Sequence, residues 1–316
     1  MKDIEVRIHW LSITVYTNID KIKEFWVEHI KPYLGLLDEV GHGAAGFRHM
    51  MKGLAGSKLY HAPINNSSGK DYVHLVFPGQ ACDTLDTEAI RGIVYVLNKK
   101  YQTNVTRLDV AFDNVPFSPH DFYAAICAEN FRSLAKRESV RFDSSPWQSQ
   151  KSGNKMGCST AYLGSRSSTR SLRVYDQRGY TRLEVEYHRE RANEVTKEVF
   201  PHFIENWPDL MVGHLLDFVD LVEDGEGERL DFWESFIQGN KRAGLKISDA
   251  READLNKTLN WIGRQVSPGL SVIADAYGED KIDEIIKFGR QKRGRRYDSI
   301  VDNIDLDRGE VNAKKQ

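Results

Sequence analysis

Apolar and polar positions alternate over Val6–Val15 (VRIHWLSITV), which predicts a strand. Asn18 or Asp20 can cap the helix that follows. The helical spacing of Ile22, Phe25, Trp26, His29 and Ile30 carries that helix to about Tyr33. Phe47–Met51 and Ser57–His61 are short strand candidates. A turn cluster at Asn65–Gly69 precedes an alternating strand at Tyr72–Phe77, and a helix pattern covers Thr87–Tyr101. The pattern then restarts. Val105–Phe112 reads as a strand. Ser118 and Pro119 supply an N-cap and a first helical position for a helix running to about Leu134. A loop rich in Ser, Gly, Lys and Gln spans Asp143–Gly157. Ser159–Gly164, Ser171–Gln177 and Thr181–His188 are strands joined by short turns, which predicts an antiparallel meander. The repeated order of strand, helix and hairpin predicts an internal duplication, two ferredoxin-like lobes sharing one antiparallel sheet. From about Asn193 helical patterns dominate to about Ile304, broken at Asp224–Gly227 and Ser267–Gly269. The chain is therefore expected to divide into an α+β catalytic domain (1–195), a helical C-terminal region (196–304) and a polar, disordered tail (305–316).

Composition narrows the class. The chain has 316 residues, enough for a sizeable core. Its mean hydropathy is −0.52, and no apolar run approaches the roughly 18–20 residues of a membrane span. Three widely spaced cysteines, Cys82, Cys127 and Cys158, form neither a disulfide framework nor a zinc pattern, so a reducing cytoplasm is expected. Net charge is −2, but its distribution is uneven. Lys151–Thr196 holds nine basic and five acidic residues, and Lys281–Ile300 seven and three. Glu205–Glu234 holds ten acidic residues and one arginine. Such a chain can carry a basic face for a phosphate backbone, or simply an ordinary charged surface.

Three strands carry candidate chemistry. In Thr106–Asp113, Leu108, Val110 and Phe112 share one face, and Arg107, Asp109, Ala111 and Asp113 the other. In Arg182–His188, Leu183, Val185 and Tyr187 oppose Arg182, Glu184, Glu186 and His188. Carboxylates aligned inside strands are unusual, because neighbouring like charges repel. A hard divalent cation such as Mg²⁺ or Mn²⁺ explains them; a solvated face neutralised by Arg107 and Arg182 is the alternative. Between these strands, Leu172–Gln177 places Arg173, Tyr175 and Gln177 on one face. If the strands share a sheet, Tyr175 lies beside the carboxylates, where a tyrosine oxygen could attack a phosphodiester; a packing tyrosine is the plainer reading.

Four runs in series go further: Thr106–Asp113 (TRLDVAFD), Tyr162–Arg166 (YLGSR), Arg173–Gln177 (RVYDQ) and Arg182–Glu186 (RLEVE). Together with Trp10–Thr14, Trp261, Val266–Leu270 and Phe288–Arg290, they resemble the Rep_trans replication initiation factors. These are rolling-circle initiators of small plasmids and filamentous phages, with related relaxases in integrative elements. The resemblance covers most of the chain in order. It implies an α+β fold, a central antiparallel sheet of two ferredoxin-like (HUH/RRM-like) lobes followed by a helical C-terminal region. It implies Tyr175 as nucleophile and Asp109 and Glu184 as metal ligands, with Glu186 and Asp113 as further candidates. Two positions depart from the family: His9 stands where an acid is common, and Gln177 where lysine is common.

The resemblance further implies a Mg²⁺- or Mn²⁺-dependent transesterification that nicks and rejoins one strand through a 5′-phosphotyrosine link. Arg166, Arg170, Arg173 and Arg178 are the phosphate contacts expected near the site, and Arg290, Lys292 and Arg293 a grip on origin duplex. His188 could be a ligand, a local base or a surface partner of Glu186. Expected partners are origin DNA, a host polymerase and a second copy of the chain. A host helicase is expected too, because the chain lacks a GxxxxGK phosphate loop. A conjugative relaxase, a non-catalytic origin-binding protein and a metal nuclease using water are the competing readings.

Overall fold

The computed structural model describes residues 4–66, 69–133, 135, 139–145, 158–165, 167–177, 179–201, 205–238 and 262–292. The chain divides into two compact units, Met1–Leu245 and Lys246–Gln316.

The first unit is built on one antiparallel sheet. Its strands are β1 (Glu5–Tyr16), β2 (Asp38–Val40), β3 (Phe47–Lys52), β4 (Lys58–Pro63), β5 (Val73–Phe77) and β6 (Gln102–Asp113). After a short β7 (Arg132–Ser133) come β8 (Arg141–Ser145), β9 (Cys158–Leu163), β10 (Arg170–Gln177) and β11 (Tyr180–His188). The order across the sheet is β2-β3-β4-β5-β1-β6-β11-β10-β9-β8. The two halves share a plan: a long strand, a helical stretch, then a meander whose last strand returns beside the first. The two long strands, β1 and β6, pair with each other at the centre. The repeat read from the sequence is thus visible as a repeated topology. β7 pairs separately with β12 (Val219–Asp220).

Helices cover one face of the sheet. After β1, α1 (Ile19–Phe25) is capped by the Asn18 side chain; it continues through a π-turn at Trp26–Ile30 into α2 (Lys31–Leu34). α3 (Gly79–Leu85) and α4 (Thr87–Lys100) follow β5, and α5 (Pro119–Cys127) follows β6. A capping box between Ser118 and Asp121 starts α5 as the sequence predicts. The helix stops at Cys127 rather than near Leu134, because Glu129 turns into the left-handed region and Arg132–Ser133 pairs with β12. β8 likewise extends into the segment read as loop from Asp143.

α6 (Arg189–Val199), α7 (Trp207–Phe218) and α8 (Asp231–Ile237) complete the layer. Their buried residues, including Val195, Leu215 and Phe236, join the core formed by Ile8, Leu11, Leu108, Val110, Leu172, Val174, Leu183 and Val185. The first unit therefore continues past residue 195, where the sequence places a boundary. The apolar stripes of α7 and α8 need the sheet to be buried. The second unit contains a π-turn at Ile262–Val266 and helices at Ser267–Tyr277 and Glu279–Lys292. The expected tail, 305–316, lies outside the described residues. No helix among the described residues is long and apolar enough to cross a membrane.

Candidate active site

The face opposite the helices carries the chemistry, and strand register decides which side chains meet. Asp109 of β6 pairs with Glu186 of β11, Ala111 with Glu184, and Asp113 with Arg182. One strand further, Glu184 pairs with Arg173 and Arg182 with Tyr175. Ala111 lies between Asp109 and Asp113 on this face, and its single methyl leaves room for the carboxylates around it. Asp109, Glu184 and Glu186 each offer an oxygen within 4.8 Å of the others. Asp109 and Glu184 are fully buried.

Tyr175 donates its hydroxyl to Glu184 Oε2 at 2.8 Å. The other Glu184 oxygen accepts from Arg173 Nη2 at 2.8 Å and lies 3.2 Å from His9 Nδ1. Arg107 clamps Asp109 through Nε and Nη2 at 2.8 and 2.6 Å. Glu186 is met by His188 Nε2 at 3.4 Å, Arg173 Nε at 3.6 Å and Arg107 Nη2 at 3.8 Å.

Burial alone would neutralise Glu184, but His9 and Arg173 outweigh it and hold its carboxyl well below the usual range. Burial pushes Asp109 up to about 7, against Arg107 and helped by the neighbouring Glu184 and Glu186. Burial and then the Glu184 carboxylate raise the Tyr175 hydroxyl above its ordinary value. Three buried or half-buried carboxylates thus gather around two arginines, Arg107 and Arg173, and burial opposes the charge of Asp109. Hard oxygen donors gathered in this way suit a hard divalent cation.

Several sequence-predicted residues fall elsewhere. Asp113 is outside the three-carboxylate cluster. Arg182 clamps it at 2.5 and 2.9 Å and Arg7 adds Nε at 3.0 Å, while the carboxylates that gather are those of Asp109, Glu184 and Glu186. Arg170 is not a phosphate contact of this face. Its odd-even position turns it toward the helices, where it is buried, bonded to Asp217 of α7 at 2.9 Å and placed over the Phe218 ring. Arg173 and Gln177 are half-buried on the open face with Tyr175. His188 is a partner of Glu186. Arg166, Arg178 and Arg293 lie outside the described residues. Arg290 is exposed near the end of the last helix of the second unit, which closes at Lys292.

His9 is the site residue that sequence reasoning undervalued. β1 carries a register shift between Ile8 and Trp10, so His9 and Trp10 both lie opposite Asp109 on the open face. The signal was present in the apolar phase: Val6 and Ile8 are followed by Leu11, Ile13 and Val15, a step of three where two would continue the alternation. β5 pairs only with Leu11–Val15, and α3 reaches the earlier part of β1 instead. There Gly79 lies so close to His9 that an added Cβ would fall 2.6 Å from its Nε2.

Comparison with known proteins bears on the family and the fold. The replication initiation factor family, Rep_trans, matches residues 103–287, which contain Asp109, Tyr175, Glu184 and Glu186. A solved rolling circle replication initiator protein from Geobacillus stearothermophilus is similar in fold, with a TM-score of 0.61 at 17% identity, over 77% of this chain and 99% of that one. No curated protein matches the chain.

Proposed function

The chain belongs to the replication initiation factor family, and from that premise we propose that it opens rolling-circle replication by nicking one origin strand with Tyr175. The observation that carries the reading is the Tyr175 hydroxyl, hydrogen-bonded to Glu184 at 2.8 Å beside a three-carboxylate cluster.

A tyrosine hydroxyl is a weak nucleophile while it keeps its proton, and the surroundings of Tyr175 raise its pKa further. Attack therefore needs a proton acceptor. Glu184 is the acceptor in reach, since its Oε2 already accepts from the tyrosine. His9 and Arg173 keep it ionised and also make it a weak base, so the proton moves as the bond to phosphorus forms rather than before it. The tyrosine oxygen forms a bond to phosphorus, the bond from phosphorus to the 3′ oxygen breaks, and the leaving oxygen takes a proton. The products are a 5′-phosphotyrosine and a free 3′-OH that primes a polymerase. Attack of a 3′-OH on that link rejoins the strand without another energy source.

Asp109, Glu184 and Glu186 would hold Mg²⁺ or Mn²⁺, which supplies Lewis-acid polarisation of the phosphate when bound. Arg173, whose guanidinium lies 5.3 Å from the Tyr175 ring centre, is the phosphate contact nearest the nucleophile. The strand must be unpaired to enter this face, so a cruciform or melted origin, a host helicase and a second copy of the chain are the partners this reading requires or implies.

The test is a denaturing protein gel after incubation with supercoiled origin plasmid or a labelled single-stranded oligonucleotide, with Mn²⁺ or EDTA, beside Tyr175→Phe. A DNA-linked band that needs both Tyr175 and metal is expected. Nicking that survives Tyr175→Phe would assign the nucleophile to water or another tyrosine. Binding with no cleavage on a cognate origin would make the chain a binding protein only.

A further inference from the structure

Trp10 and Arg107 have no role in the chemistry above, yet they border it. The bulge in β1 aims Trp10 at the open face opposite Asp109. Its indole Nε1 donates to Ser12 Oγ at 2.8 Å, which fixes the ring, and the ring is half-buried. The Arg107 guanidinium lies 4.3 Å from the ring centre. Both ion-pair acceptors of Arg107, Asp109 and Glu186, belong to the carboxylate cluster. Arg107 and a divalent cation therefore compete for the same oxygens. With those oxygens committed to a cation, the guanidinium keeps only the indole as a described neighbour of opposite character. The indole also packs against the cluster of Phe47, Met50, Tyr60 and Val76, so it is a rigid platform that is open to solvent only in part. A partly exposed arginine over a tryptophan suits a phosphate, and the open part of the indole can meet an unpaired base.

We propose that Trp10 and Arg107 form a nucleotide subsite beside the nick position, the indole stacking one base and the guanidinium taking a phosphate when a divalent cation engages Asp109. The subsite rests on the strand-nicking reading, since it places an unpaired strand on this face. It makes cation and strand binding mutually reinforcing: each gains when Arg107 leaves Asp109.

The experiment uses the full chain carrying Tyr175→Phe, so that no covalent product forms. Fluorescence anisotropy follows a labelled oligothymidylate and an abasic strand of equal length, each with Mn²⁺ and with EDTA. Trp10→Ala is expected to weaken the oligothymidylate about tenfold, the size of one stacked base, and to leave the abasic strand unchanged. Trp10→Phe, which keeps a ring, is expected to stay within about threefold of the parent on the same scale. Arg107→Gln is expected to weaken both strands in Mn²⁺ and have little effect in EDTA. By calorimetry without DNA, the same variant is expected to bind Mn²⁺ more tightly, a result that loss of a merely structural arginine does not produce. Equal effects of Trp10→Ala on both strands, or none, overturn the stacking. Unchanged or weaker Mn²⁺ binding by Arg107→Gln overturns the exchange. A parent that binds neither strand sinks the strand-nicking reading and the subsite with it; a parent that binds both, with both variants silent, sinks the subsite alone.

Discussion

Tyr175 and Glu184 sit on neighbouring strands, and the tyrosine hydroxyl donates to Glu184 Oε2 at 2.8 Å while the other carboxylate oxygen is held by His9 and Arg173. The acceptor is oriented before any strand arrives. Glu184→Gln keeps the shape and removes the charge. It is expected to slow single-turnover nicking by roughly 10²–10⁴, the range of a positioned proton acceptor. Measured at saturating Mn²⁺, a loss smaller than about tenfold would remove Glu184 from that role.

The cluster should bind its cation in the absence of DNA. Mn²⁺ at about 100 times its dissociation constant is expected to stabilise the fold by roughly 2.7 kcal/mol. Thermal melts should show a higher Tm with Mn²⁺ than with EDTA. In Asp109→Asn and Glu186→Gln the increment is expected to shrink. A Tm that ignores Mn²⁺ in the parent would argue against a cation among these carboxylates.

His9 holds Glu184 from a position that only a glycine neighbour permits. A Cβ at residue 79 would meet His9 Nε2 at 2.6 Å, too close for both to keep their places. Gly79→Ala is therefore expected to reproduce the nicking defect of His9→Ala with every polar group still present. If Gly79→Ala nicks normally while His9→Ala is impaired, the close approach is not what positions the imidazole.

Acid should weaken the first unit through His74. Burial depresses its pKa from 6.5 to about 4, and its Nδ1 lies 3.0 Å from Thr14 Oγ1. Between those values the unfolded chain binds a proton that the folded chain refuses, so stability falls as pH drops through that window and is regained above it. Asp109, raised by burial from 3.8 to about 7, works in the opposite direction across the whole of that range. The measurement is thus a difference: urea midpoints of the parent and of His74→Gln from about pH 4 to pH 7, where the variant is expected to show the flatter acid limb. Parallel curves would clear His74 of the effect.

Much of the site could be read before any strand was paired. The two-residue period of a strand is local, so Asp109, Tyr175, Glu184 and Glu186 had to share faces with Arg107, Arg173 and Arg182, while Leu108, Val174 and Val185 faced the core. The same period assigns Arg170 to the core side. The expectation that it contacts phosphate came from its nearness in sequence to Tyr175, and its burial against Asp217 corrects it. The helix Pro119–Cys127 was legible from its capping box, but its end was not, since the pairing of Ser133 with Val219 is a contact across distant segments.

What pattern alone could not reach was neighbourhood. Asp113 stands on the right face, yet cross-strand register gives it to Arg182 and Arg7, leaving three carboxylates rather than four to gather. His9 enters because β1 bulges and pairs with β6, nearly a hundred positions later in the chain. Alternation along a strand follows from backbone geometry and is written in each segment. Which acids meet, and which are already neutralised, depends on register between strands, and that is settled only when the whole sheet closes over its core.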